Sequence, residues 1–146
     1  MPRIGFASRL DTIQAAVLSE KLKIFPEEIA ARDLIARRYA DALKDVVTVP
    51  TVPAGLQSVW AQYTIRLAGG RRDTFAAALK ADGIPTAIYY PIPLHRQVAY
   101  KQYPAGRAGL AVSERLAGEV ISLPMHPYLD EPKQARIVEA TRRALA

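Results

Sequence analysis

Cysteine is absent from all 146 residues, which removes disulfide staples, thiol nucleophiles and thiolate metal ligands at once. Histidine is nearly as scarce: His95 and His126 are the only two, too few to make a zinc site by themselves. No stretch approaches the roughly 20 uninterrupted apolar residues that a membrane helix needs. The opening Met1-Pro2-Arg3-Ile4 is not a basic segment leading into a long apolar one. The expectation is a soluble, cytoplasmic protein with no membrane partner. No glycine-rich phosphate loop follows a strand and no Gly-x-Ser-x-Gly elbow occurs, so a self-contained enzyme is hard to see.

What is present suits one hydrophobic core. Half of the residues are apolar, and the length falls within the usual range of a single domain, about 100–150 residues. The net charge of +6 is spread through mixed pairs such as Arg32-Asp33 and Arg72-Asp73. That pattern reads as solvated faces, not as a nucleic-acid surface.

Apolar residues at Leu10, Ile13, Val17 and Ile24 recur at helical spacing, with Ser8 as a candidate cap, and predict a helix from Leu10 to Ile24. Pro26, followed by Glu27 and Glu28, reads as the first turn of a second helix reaching Leu43. Val46 to Pro53 is β-branched and punctuated by proline, which suits an extended connection or edge strand. Val59 to Leu67 alternates with period two and predicts a strand. A helix over 71–81 stopped by Gly83, a short strand over 87–90, and helices over 111–120 and 131–145 complete the pattern. Helices followed by mixed strands and helices give an α+β architecture.

Three segments could carry chemistry. Gly5-Phe6-Ala7-Ser8-Arg9 enters a helix with free amides, a hydroxyl and a guanidinium, a combination able to hold an anion; it also reads as a plain cap with Arg9 in a surface pair. Tyr89-Tyr90-Pro91-Ile92-Pro93-Leu94-His95 uses paired prolines to hold two phenols and an imidazole in fixed directions, which suits ligand binding or a core aromatic pair. Leu123-Pro124-Met125-His126-Pro127 reads first as a connector between helices. Gln14, Gln62, Trp60 and Tyr63 read as packing and surface residues, and no acid–base pair emerges from them.

Together, GFASRLDTIQAAVL, SVWAQYTIRL, GIPTAIYYPIPLHRQVAY and ERLAGEVISLPMHPYL resemble, in order and spacing, the C-terminal portion of the DegT/DnrJ/StrS family of sugar aminotransferases. The resemblance implies a single domain over 1–146, the small C-terminal domain of a fold-type-I enzyme. Residues 1–45 would form a helical bridge and 46–146 an α+β unit with a small, mainly antiparallel sheet. Such enzymes use pyridoxal phosphate to move an amino group from glutamate onto a keto group of a nucleotide-linked sugar. Their Schiff-base lysine and pyridine-binding aspartate belong to a large domain, which would lie before Met1. None of this chain's lysines stands in the family's lysine motif, so no catalytic residue is assigned and the chain alone is expected to bind no cofactor.

The resemblance also implies a dimer with shared sites. Where the family usually has Asn-x-Arg, this chain has Ala7-Ser8-Arg9, so only Arg9 carries over, near the cofactor phosphate of the neighbouring subunit. Tyr89, Tyr90 and His95 are the expected substrate-binding residues. RLDTIQAAVLSEKLKIF is most similar to enzymes aminating a UDP-linked 3-oxo-glucuronate for bacterial surface polysaccharide such as lipopolysaccharide; a 4-keto-6-deoxy sugar is the related alternative. A free-standing, non-catalytic domain that dimerises or binds a nucleotide is the reading from a different class.

Overall fold

The computed structural model describes residues 10–106 and 109–146. Its first element, α1 (Thr12–Leu43), begins at Asp11, whose carboxylate accepts from the Gln14 backbone N–H at 2.8 Å. Ser8, the expected cap, lies outside the described residues. The two expected helices are one, because Pro26 sits inside α1 instead of opening a second helix. Proline removes one N–H, so the Leu22 carbonyl loses its partner four residues on. Both residues are exposed, which leaves that carbonyl open to water, and the good helix formers on either side carry the helix through.

Only the second half of α1 is buried. Ile35, Ala36, Tyr39 and Leu43 form its inner stripe, at the spacing of one helix face. They pack with β1 (Tyr63–Arg66), α2 (Arg72–Ala81), β2 (Val120–Leu123) and α4 (Glu131–Leu145) around one apolar cluster that includes Tyr63, Ile65, Phe75 and Ile121. Between these elements runs α3 (Ala111–Glu119), amphipathic and only partly covered. The Gln134 side chain donates to the Ile35 carbonyl at 2.8 Å and Tyr39 donates its hydroxyl to the Pro124 carbonyl at 3.0 Å. These bonds tie α1 to α4 and to the end of β2. Burial pushes the Tyr39 and Tyr63 phenols well above their ordinary range, so both remain neutral.

The sheet is small and antiparallel, as expected. β1 pairs with β2 in the register Tyr63↔Leu123 to Arg66↔Val120, and single bridges at Thr48↔Arg66 and Ala87↔Ser122 extend it by one residue on each side. Prolines at 50 and 53 on one flank, and at 85 and 91 on the other, deny the ladder further donors.

Three expectations need correction here. The strand expected from Val59 begins only at Tyr63, because Trp60 takes a φ of 48° and turns the chain. The strand expected over 87–90 is a single bridge at Ala87. Leu123, read as the start of a connector, belongs to β2. A short buried strand shows no alternation, so periodicity alone does not separate Val-Ile-Ser-Leu from the tail of a helix.

Gly83 follows α2 at a φ of 72°, the left-handed conformation that ends a helix cheaply only without a side chain. At the head of α4, Asp130 accepts from the Lys133 backbone N–H at 2.9 Å, and Pro132 occupies the first turn. Among the described residues no helix is long and apolar enough to cross a membrane.

Candidate functional site

The proline-rich segment leaves the sheet at Ala87, runs through Tyr89 and Tyr90, and closes on a 3-10 turn, Leu94–Arg96. Tyr90 takes a φ of 57°, a conformation costing of order 1–3 kcal/mol that non-glycine residues adopt when surroundings impose it. Tyr89 and Tyr90 line different cavities.

Tyr90 and His95 share a cavity of about 550 Å³ between this segment and α3. Tyr100, Tyr103, Leu116 and Val120 supply other parts of its wall. Such a cleft, mostly apolar with a few polar groups, is the usual form of a small-molecule site. Tyr89 lines a different, smaller cavity of about 190 Å³ with Gln62, Pro124 and Met125. The three residues expected together are thus divided two and one.

His95 is three-quarters or more covered: its side chain is 17% exposed, and its Nε2 lies 2.9 Å from Glu114 Oε1. Arg96 Nε donates to the same oxygen, also at 2.9 Å. These bonds, the His95 bond first and the Arg96 bond second, hold the Glu114 carboxyl below the usual glutamate range. An ionised carboxylate only accepts, so His95 Nε2 must carry a proton.

The other residues singled out in the sequence fall into place separately. Arg9, with Ala7 and Ser8, lies outside the described residues. Trp60 and Tyr63 are structural: the indole N–H donates to Asp33 at 3.1 Å, Arg32 donates to the Trp60 carbonyl at 3.0 Å, and the Trp60 and Tyr63 rings lie 5.8 Å apart. Gln14 is exposed on α1. The third segment does more than connect. Pro124 and Met125 border the Tyr89 cavity, and just beyond the segment the Tyr128 hydroxyl reaches Glu28 of α1 at 2.6 Å.

Sequence reading missed Tyr100, Tyr103 and Glu114. The two tyrosines stand three apart, with ring centroids 6.4 Å from one another, and that spacing after a rigid loop was an available signal. Glu114 offered none, since it lies 19 residues from His95 on a helix whose charges resemble any solvated face.

The comparisons with known proteins agree on one family. The model of the DegT/DnrJ/EryC1/StrS aminotransferase family matches residues 1–142. The UDP-2-acetamido-2-deoxy-3-oxo-D-glucuronate aminotransferase of Pseudomonas aeruginosa is 49% identical over 129 residues, covering 88% of this chain and 34% of that protein. Among solved structures, a DegT DnrJ EryC1 StrS aminotransferase from Brucella abortus superposes with a TM-score of 0.89 at 56% identity. It covers 99% of this chain and 38% of that one. DesV of S. venezuelae, in complex with a ketimine intermediate, gives a TM-score of 0.85 at 33% identity, over 95% of this chain and 38% of that one. The chain therefore spans between about a third and two-fifths of the length of the relatives it matches.

Proposed function

Because the chain belongs to the DegT/DnrJ/EryC1/StrS aminotransferase family, we propose that it is the C-terminal portion of a pyridoxal-phosphate-dependent aminotransferase acting on a nucleotide-linked sugar. In this reading glutamate supplies the amino group, and the acceptor is the keto group of a UDP-linked 3-oxo-glucuronate used for bacterial surface polysaccharide. The 49% identity to the Pseudomonas aeruginosa enzyme carries the choice of sugar.

The described residues do not fit the cofactor's covalent attachment. Lys21, Lys23, Lys44, Lys80, Lys101 and Lys133 are all exposed, and none lines either cavity around the tyrosine segment. Lys23, Lys44 and Lys133 are engaged with neighbouring carboxylates. A Schiff-base lysine works from a desolvated pocket that keeps its amine partly neutral. These positions offer no such pocket, so no catalytic step is assigned to this chain.

What the chain contributes is binding surface. Tyr90 and His95 offer a phenol, an imidazole and an apolar floor to the sugar or its nucleotide, and Tyr89 borders the neighbouring cavity. Arg9 would serve an anionic group, since a guanidinium matches phosphate and carboxylate in a bidentate manner. Adding pyridoxal phosphate and reducing with borohydride is expected to trap no single lysine, as read by peptide mass spectrometry. Titrating with UDP-glucuronic acid is expected to give weaker binding for Arg9→Ala and His95→Ala than for the control Lys21→Ala. One stoichiometrically trapped lysine, or equal binding in all three variants, would refute the corresponding half of the reading.

We also propose that copies of this chain associate through the first half of α1. Ile13, Val17, Leu18 and Leu22 are 79%, 55%, 49% and 65% exposed, and contiguous apolar surface of this kind seeks cover. Light scattering is expected to report a mass above that of one chain, and the double variant Leu18→Glu, Leu22→Glu to return it to a monomer. A monomer at high concentration before any substitution would end this reading.

A further inference from the structure

The segment carrying Tyr90 and His95 is long, rich in proline and poorly anchored. Its hydrogen bonds are nearly all internal: Arg96 N–H to the Pro93 carbonyl at 2.9 Å, Gln97 N–H to Leu94 at 3.1 Å, the Gln97 side chain to Ile92 at 3.2 Å, and Tyr103 N–H to Tyr100 at 3.0 Å. Among the described residues, only the two bonds to Glu114 join residues 89–106 to another element. One carboxylate oxygen on α3 thus receives both polar ties of the cavity's outer wall.

We propose that Glu114 is a positioning residue, which fixes the His95 imidazole against the tyrosine-lined cavity and pins the wall of that cavity to α3. The chemistry of the bond decides what the imidazole then offers. With Nε2 donating to the carboxylate, Nδ1 is the ring nitrogen left for a ligand. A ring nitrogen beside three tyrosines suits a polyhydroxylated ligand, whose hydroxyls can pair with it while its ring faces stack on aromatic surface. This deepening rests on the reading of the cavity as the place of the sugar. Glu114 itself touches no ligand in this scheme.

The geometry also accounts for why a carboxylate stands there. His95 and Arg96 are adjacent cationic or potentially cationic groups on one tight turn, and both are directed at α3. An anion between them satisfies both donors at once. A glutamine oxygen can accept both bonds but lacks the charge, and an alanine accepts neither.

The experiment follows the His95 ring in this chain by ¹H–¹⁵N correlation spectroscopy, with UDP-glucuronic acid as the probe for binding. In the unaltered protein the Nε2 proton is expected to exchange slowly with water. Glu114→Ala is expected to accelerate that exchange by about tenfold or more, and to weaken UDP-glucuronic acid by about five- to tenfold, the scale of one lost hydrogen bond. Glu114→Gln is expected to restore most of the ring protection and to bind within about threefold of the unaltered chain. The methyl signals of Ile65 and Ile121 report that the core stays folded in each variant. A ring in Glu114→Ala with unchanged exchange overturns the proposal. A ring that is freed while UDP-glucuronic acid binds equally to Glu114→Ala, His95→Ala and the unaltered chain supports the positioning role and removes the sugar from this cavity.

Discussion

The two halves of α1 are one helix with two environments. From Ile35 to Leu43 its apolar stripe is sealed, with Tyr39 and Leu43 fully buried against the sheet and α4. From Ile13 to Phe25 residues of the same type stand in water, with Phe25 still 42% exposed. The helix formers along the chain and the single cap at Asp11 serve both halves alike. Amphipathic spacing therefore identifies side chains that need cover; the covering element is a separate fact, supplied for the second half by α4 and β1.

Truncation tests that contrast most severely. Leu43→Ala is expected to lower unfolding stability by about 2–5 kcal/mol, because it opens a cavity in a packed core. Leu22→Ala, measured by the same urea titration at a dilution that keeps chains apart, is expected to change it by no more than about 0.5 kcal/mol. Similar losses at both positions would mean that the first half is packed in solution after all.

The junction between the halves gives the next effect. Pro26→Ala restores an N–H to the Leu22 carbonyl and relieves the clash with the preceding turn, so helix content and thermal stability are expected to rise, by up to about 3 kcal/mol. Circular dichroism through a melt reads both. A fall in either would show that proline at this place holds a bend the fold requires.

Acid provides the smallest effect, confined to the covered half. Asp130 is held below its ordinary range by the Lys133 side chain first and the Lys133 backbone N–H second. A depressed carboxylate contributes fully above its unfolded pKa, near 3.9 for aspartate, and the contribution is lost as pH falls through the lower folded value. Amide exchange at Lys133 and Gln134 is therefore expected to quicken at that low pH, loosening the cover over Ile35, while exchange in α1 before Pro26 stays unaffected. Equal quickening in both segments would point to global unfolding instead.

These contrasts also mark what the sequence made legible. Helices α2, α3 and α4 were readable from apolar spacing, joined in α2 by Asp73 in the first turn and Gly83 just past its end, and in α4 by Asp130 and Pro132 at its start. Pro26 misled because a proline that opens a helix and one that interrupts it look alike locally, and the solvent exposure that tolerates the second is a tertiary property. β2 was hidden for a related reason, its four residues being recognisable only from their pairing with Tyr63 to Arg66. Of the candidate site, the rigid tyrosine loop was visible and its partner was not. The bond from His95 to Glu114 joins two segments through space, and the assignment of Tyr89 and Tyr90 to different cavities rests on elements far apart in the chain.

The prolines that flank the sheet have a consequence for how copies of this chain can meet. An open two-stranded ribbon normally invites further strands and, with them, fibrous growth. Here each margin admits one bridge, at Thr48 and at Ala87, before ring-closed residues interrupt the row of donors. Strand addition has nowhere to propagate, which steers a crowded solution of this protein away from cross-β polymers.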